Sequence, residues 1–220
     1  MKKISKMQGI ALAIALLSAA VTVVFYGRLP AEIPVHWNLD GTVNYGARSM
    51  LWLLGGLPIV LWCLFVLLPK IDPRRENYGK FRGVYDAFNA VMMLFFLGIT
   101  CVTISESLYP GRISVAAVIT AGCGLLFAFI GNMMPKFKSN FFVGIKTPWT
   151  LSSSEVWNRT HRFAGYLWFA GGIVIVPLAV LLPSENLLFG LFMAIILVMA
   201  FLPMVMSYVW YRREQKGEQQ

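Results

Sequence analysis

The residues with the most chemical potential lie in one polar stretch, GIKTPWTLSSSEVWNRTH, Gly144 to His161. It carries an imidazole, a lysine, two indoles and a single carboxylate, with apolar sequence on both sides. At helical spacing Ser154, Trp157, Asn158, His161, Gly165 and Trp168 share one face. General acid–base chemistry would pair His161 with an acid, and its own loop supplies no obvious one. Glu155 is better placed as a helix cap than as a base. Binding is therefore the sharper reading. Lys146, Thr147, Trp149, Trp157 and His161 form a candidate inner site, with Asn132 and Asn140 as polar supports. A cation, two indoles and an imidazole are expected near one face. Trp157→Ala or His161→Ala should then abolish function while the protein still accumulates. The competing reading is an interfacial anchor built on Trp157 and His161.

A second set lies in RLPAEIPVHWNLDGTVNYGARS, Arg28 to Ser49. His36, Trp37, Asn38 and Asp40 could converge on a cation or a polar ligand. One histidine with one carboxylate is a poor metal set, so no metal is expected, and no cofactor. HExxH, GxSxG, CxxC and phosphate-cradling glycine motifs are absent from the sequence. Cys63, Cys101 and Cys123 are odd in number and lack paired spacing, which suits small apolar helix residues.

The elements that must hold these sets are set by composition. Hydrophobic residues make up 58% of the chain and charged residues 13%, against about 25% charged in a soluble domain. Runs at 8–26, 49–69, 87–105, 113–134, 163–182 and 187–211 contain no Asp, Glu, Lys, Arg or His. Each is close to the roughly 20 residues that cross a bilayer as a helix. The fold expected is an all-α integral membrane protein, a six-transmembrane-helix bundle with a small extracytoplasmic hairpin-like loop. MKKISK followed by an apolar run could begin a secretory signal. The run continues to Tyr26, so an uncleaved first span is expected.

Of 19 Lys and Arg, all but Arg28, Arg48 and Arg112 lie before the first span, in 70–86, in 135–162 or after Tyr211. The positive-inside rule makes that side cytoplasmic and places both termini there. The +9 charge thus follows from topology. The basic residues are scattered over four segments, so direct nucleic-acid binding is not expected. The lipid bilayer is the partner that composition demands.

Local signals refine both loops. Val35 and Trp37 alternate with His36 and Asn38, and Asp40-Gly41 marks a turn, which predicts an outer β-hairpin. Thr147-Pro148 demands extended backbone. Ser152 and Glu155 have capping-box spacing, with Leu151 and Val156 at the staple positions, so the fifth helix should begin near Ser153. Pro58, Pro177 and Pro203 fall inside spans and are expected to kink them. The short 106–112 and 183–186 connections predict antiparallel hairpins of spans three–four and five–six. A proton- or ion-coupled transporter usually places a carboxylate within a span. Here Asp86 and Glu106 lie only at the ends of span three, which weakens a transport reading.

GNMMPKFKSNFFVGIKTPWTLSSSEVWNRTHRFAG, Gly131 to Gly165, resembles the signature of the SdpI family of bacterial membrane immunity proteins. LPAEIPVHWNLDGTVN resembles the extracytoplasmic part of a domain of unknown function that precedes it in that family. Lys146 stands where an arginine is expected, which keeps the charge and loses the bidentate fork. The resemblance implies a two-helix segment at 1–86 and a four-helix SdpI-like segment at 87–220. It also implies immunity to a secreted antimicrobial peptide toxin in a bacterial cell membrane, without enzymatic activity. A cytoplasmic transcriptional repressor is an implied second partner, recruited when the protein is occupied. The alternative is a membrane enzyme or transporter acting on a peptide, lipid or ion.

Overall fold

A computed structural model describes residues 4–38 and 42–217. The element order is α1 (Lys6–Tyr26), β1 (Glu32–Trp37), β2 (Val43–Ala47), α2 (Met50–Ile71), α3 (Tyr78–Leu108), α4 (Val115–Met133), α5 (Pro148–Ser152), α6 (Ser154–Leu181) and α7 (Glu185–Gly217). Every one of these helices but α5 is long and apolar enough to cross a membrane. The protein is a multi-pass helical membrane protein, as the apolar runs predict. A hydrocarbon core leaves the backbone no partner outside the helix itself.

The helix ends depart from the apolar runs because polar residues extend a helix once its core is in place. α3 begins at Tyr78, after a 3-10 turn at Arg75–Asn77, and has one non-helical residue, Phe81. Asp86 therefore lies inside α3 and is 2% exposed, not at a helix end. Its Oδ2 accepts from the Ser5 hydroxyl at 2.6 Å, and Arg82 Nε lies 3.7 Å away. Ser5 is also the N-cap of α1, so this carboxylate faces the positive end of that helix. The helices continue through Pro58, Pro177 and Pro203.

Partner choice among the helices is not sequential. α1 joins α3 more extensively than it joins α2, and α4 joins α6 far more than it joins α3. The chain thus forms α1–α2–α3 and α4–α6–α7 groups, with α3 reaching across the 86/87 division. The buried face of α1 is made of small and hydroxylated residues: Ala11, Ala15, Ser18 and Thr22 are fully buried, Ser18 Oγ lies 3.3 Å from Thr100 Oγ1 on α3, and Thr22 packs on Gly55 of α2. Such faces allow close approach where burying apolar area gains little. An apolar groove of about 380 Å³ separates α3 from α4. The expected third–fourth span hairpin is therefore only lightly closed, whereas α6 and α7 are well joined. A cluster of Tyr78, Phe81, Tyr85, Met133, Met134, Phe137 and Ala164 bridges the two groups at one end.

The hairpin exists. β1 and β2 pair antiparallel, with Glu32 opposite Ala47 and Trp37 opposite Val43. The register shifts between Pro34 and His36, so Val35 is a bulge and the simple alternation fails there. Ile33 and Pro34 turn inward, while Val35 and His36 are both exposed. The hairpin packs on α3 through a cluster of Leu29, Ile33, Leu51 and Ile104.

Candidate functional site

After α4, a 3-10 turn at Met134–Lys136 releases the chain into a loop that returns along α6. Asn140 organises this loop and is fully buried. Its Nδ2 donates to the carbonyls of Lys138 and Val143, both at 2.9 Å. Its Oδ1 accepts from the amides of Phe142 at 2.9 Å and Val143 at 2.7 Å. One side chain thus replaces the backbone pairing that a loop cannot supply.

Gly144 then brings the backbone against α6. Its φ of +112° is open to glycine, and a Cβ there would overlap Nε2 of His161. That nitrogen accepts the Ile145 amide at 3.0 Å. Nδ1 lies 2.8 Å from the Trp157 carbonyl, so it carries the proton and donates. The imidazole is fully buried, and its neutral tautomer is set by these two partners. Trp157 stacks on it at 4.0 Å and 19°, and its Nε1 donates to the Phe137 carbonyl at 2.8 Å.

The loop closes through α5. Thr147 caps α5, with Thr150 completing a reciprocal box. Thr150 also donates to the Ile145 carbonyl at 2.8 Å, and Thr147 Oγ1 lies 3.1 Å from Ser207 Oγ on α7. The start of α6 is capped by Ser153, whose Oγ accepts the Val156 amide at 3.2 Å. The expected box of Ser152 and Glu155 is not formed. Ser152 donates to the Pro148 carbonyl at 2.6 Å, because α5 occupies the residues that would have led into that cap. Glu155 instead meets Arg159 at 3.7 Å on the surface, where such pairs contribute about 0–1 kcal/mol.

A third strand of the site comes from the 70–86 loop, which sequence reasoning passed over. Asp72 is 2% exposed and accepts from Arg74 N at 2.7 Å, Tyr78 Oη at 2.9 Å and Phe141 N at 2.9 Å. Arg74 donates to the Leu151 carbonyl at 2.7 Å and to Ser139 Oγ, and lies 5.1 Å over the Phe141 ring. Asn77 donates to the Ser139 carbonyl at 2.8 Å. The available signal was Asp72-Pro73, a carboxylate at a helix stop in a segment otherwise rich in Lys and Arg.

The expected inner residues are divided by this geometry. Asn140, Thr147, Trp157 and His161 are buried and hold the loop together. Lys146 is exposed, with Nζ 3.2 Å from the Phe141 carbonyl, and Asn132 is exposed on α4. Trp149 packs edge-on against Tyr208 of α7 at 5.0 Å. The cation, indoles and imidazole therefore do not share one open face. Ser154 and Asn158 are exposed on α6 while Trp157 and His161 point inward, so the expected displayed aromatic–imidazole surface is replaced by a closed clasp. Both imidazole nitrogens are spent on backbone groups, so His161 is not poised as a general base.

The outer set is also dispersed. His36 is exposed opposite Asn44. Asn38 donates to Thr42 Oγ1 at 2.8 Å and Asn44 Oδ1 at 3.2 Å, which uses its amide to close the hairpin. Trp37 is half-buried, and Asp40 lies outside the described residues.

The 136–161 part of the clasp falls within a stretch matched by a known family. Residues 136–207 match the SdpI/YfhL protein family, and residues 13–61 match a domain of unknown function, DUF1648. The chain is 22% identical over 204 residues to "Immunity protein SdpI" of Bacillus subtilis (strain 168), covering 93% of this chain and 95% of that one. No solved structure matches it. With the DUF1648 match running from within α1 through the hairpin into α2, and the second match running from the inner loop into α7, the chain is similar to the SdpI/YfhL family over its C-terminal third and to an immunity protein along most of its length.

Proposed function

We propose that this protein is a non-enzymatic immunity protein that gives a bacterial cell resistance to a secreted toxic peptide. The observation that carries the reading is the end-to-end similarity to an immunity protein, which includes both the hairpin and the clasp. The occupied protein recruits a cytoplasmic repressor through the accessible side of the clasp, where Lys146 is exposed beside the Phe141 carbonyl and Trp149 is half-buried against Tyr208. The spent nitrogens of His161 favour this reading over catalysis.

Expression in toxin-sensitive cells is expected to raise tolerance to the cognate peptide, with the peptide recovered chemically intact. Peptide cleaved or modified in proportion to this protein would sink the reading in favour of an enzyme.

The Lys/Arg distribution supports an orientation with both termini and the clasp in the cytoplasm and the hairpin outside. A reporter fused after Gln220 should be active only in a cytoplasmic form, and one inserted at Thr42 only in an exported form. The reverse pattern at either position would overturn this orientation.

A further inference from the structure

Two features flank the hairpin on the outer side. The first is a pocket of about 560 Å³ between β1, β2 and the end of α3, lined by Glu32, Tyr45 and Glu106 among others. The second is an apolar groove of about 640 Å³ on the other side of β1, with Trp37, Met50 and Leu57 on its walls. Pro34 lines both, so they flank the same strand at one residue.

The charges around them are uneven. Among the described residues the ion pairs are Arg82–Asp86 and Arg159–Glu155, neither of them here. Glu32 is exposed and Glu106 half-buried. One Glu106 oxygen accepts the Gly111 amide at 2.6 Å, while Oε2 is shielded from solvent with no hydrogen-bond partner. A shielded carboxylate oxygen without a donor is costly, and an incoming N–H would relieve it. Among the described residues no outer arginine forms an ion pair with these acids. Arg28 lies over Phe25 at 5.7 Å, Arg48 over Tyr26 at 5.1 Å and Arg112 over Tyr109 at 4.6 Å. The protein thus keeps two carboxylates beside an apolar groove, with nearby cations engaged on aromatic rings.

We infer that this paired pocket and groove form a docking surface for a cationic amphipathic peptide. The peptide's apolar face lies in the groove under Trp37, and an ammonium or guanidinium enters the pocket between Glu32 and Glu106. Charge complementarity selects this occupant over an acyl chain, which would fill the groove and leave both carboxylates unpaired. The inference rests on the toxin-resistance reading for its biological meaning, but its geometry is independent of the inner clasp.

The test uses the full chain in phosphatidylcholine nanodiscs, with empty nanodiscs as the baseline. The probes are a short amphipathic peptide of leucine and lysine and its counterpart with glutamate for lysine. The lysine peptide should bind the wild type about tenfold or more tightly than the glutamate peptide. Glu32→Gln with Glu106→Gln should remove most of that preference, as should raised salt. Glu32→Gln alone, at an exposed position, should weaken binding with the fold intact by circular dichroism. Equal binding of the lysine peptide by wild type and the double variant would overturn the docking surface, as would equal binding of the two peptides. Cell challenge separates the two readings. A double variant that protects fully would refute this surface and leave immunity standing. A wild type that protects against no secreted peptide, yet discriminates the probes, would refute immunity and leave the surface standing.

Discussion

Trp157→Ala is expected to destabilise the protein by about 3–5 kcal/mol, the usual cost of emptying a large buried aromatic site. The indole is 1% exposed, stacks on His161 and donates to the Phe137 carbonyl, so its loss leaves a cavity and a buried acceptor unpaired. His161→Ala should cost less, about 1–3 kcal/mol, chiefly through the stranded Ile145 amide. Both variants should accumulate poorly. Asn158→Ala, one residue along the same helix and exposed, should stay within about 0.5 kcal/mol of wild type. Detergent-denaturation midpoints and membrane abundance check this. A Trp157→Ala protein as stable as wild type but unprotective would mean that the ring meets the ligand directly. That outcome is what the sequence expects from a displayed tryptophan, and burial reverses the expectation.

Gly131→Leu should be comparably severe through a different cause. A Cβ at Gly131 would overlap the backbone of Phe169 and Gly165 on α6, and one at Gly172 would overlap Ala128 and Gly124 on α4. These are backbone atoms, which cannot swing aside as a side chain can. The two helices would have to separate, at a cost of about 1–3 kcal/mol or more. The inner end of α6 would move with them, taking Trp157 and His161 off the loop. Gly98→Leu is the control, because nothing lies within 4 Å of a Cβ there. If Gly131→Leu and Gly98→Leu have the same unfolding midpoint and abundance, α4 and α6 are not in backbone contact.

The spans and the hairpin were legible in the amino-acid sequence because each is decided by local physics. An uncharged apolar run of bilayer length has one good conformation in lipid, and Asp-Gly between strand-like segments marks a reversal. The start of α6 was legible nearly to the residue, since a cluster of serines before an apolar helix must supply a cap. Which serine does so was not, because Ser152 and Ser153 both have the chemistry, and α5 decides between them.

The long motif around Lys146, Trp157 and His161 announced that the inner segment is specific. It could not say which way the side chains face. An imidazole that binds a ligand and one that binds the Ile145 amide have the same sequence signal, because both need a nitrogen at the same helical position. Direction is settled by what arrives from elsewhere in the chain. Gly144 brings backbone onto the ring, and Asp72 and Arg74 tether the loop from far away in sequence. The pairing of α1 with α3 and α4 with α6 was likewise set by tertiary structure. Within a membrane all the spans are apolar, so close fit of small residues, not hydrophobicity, selects partners. The types and order of the elements were local consequences of the sequence. The partners of those elements, and with them the closed clasp on one face and the acidic pocket on the other, depended on residues that meet only when the chain is folded.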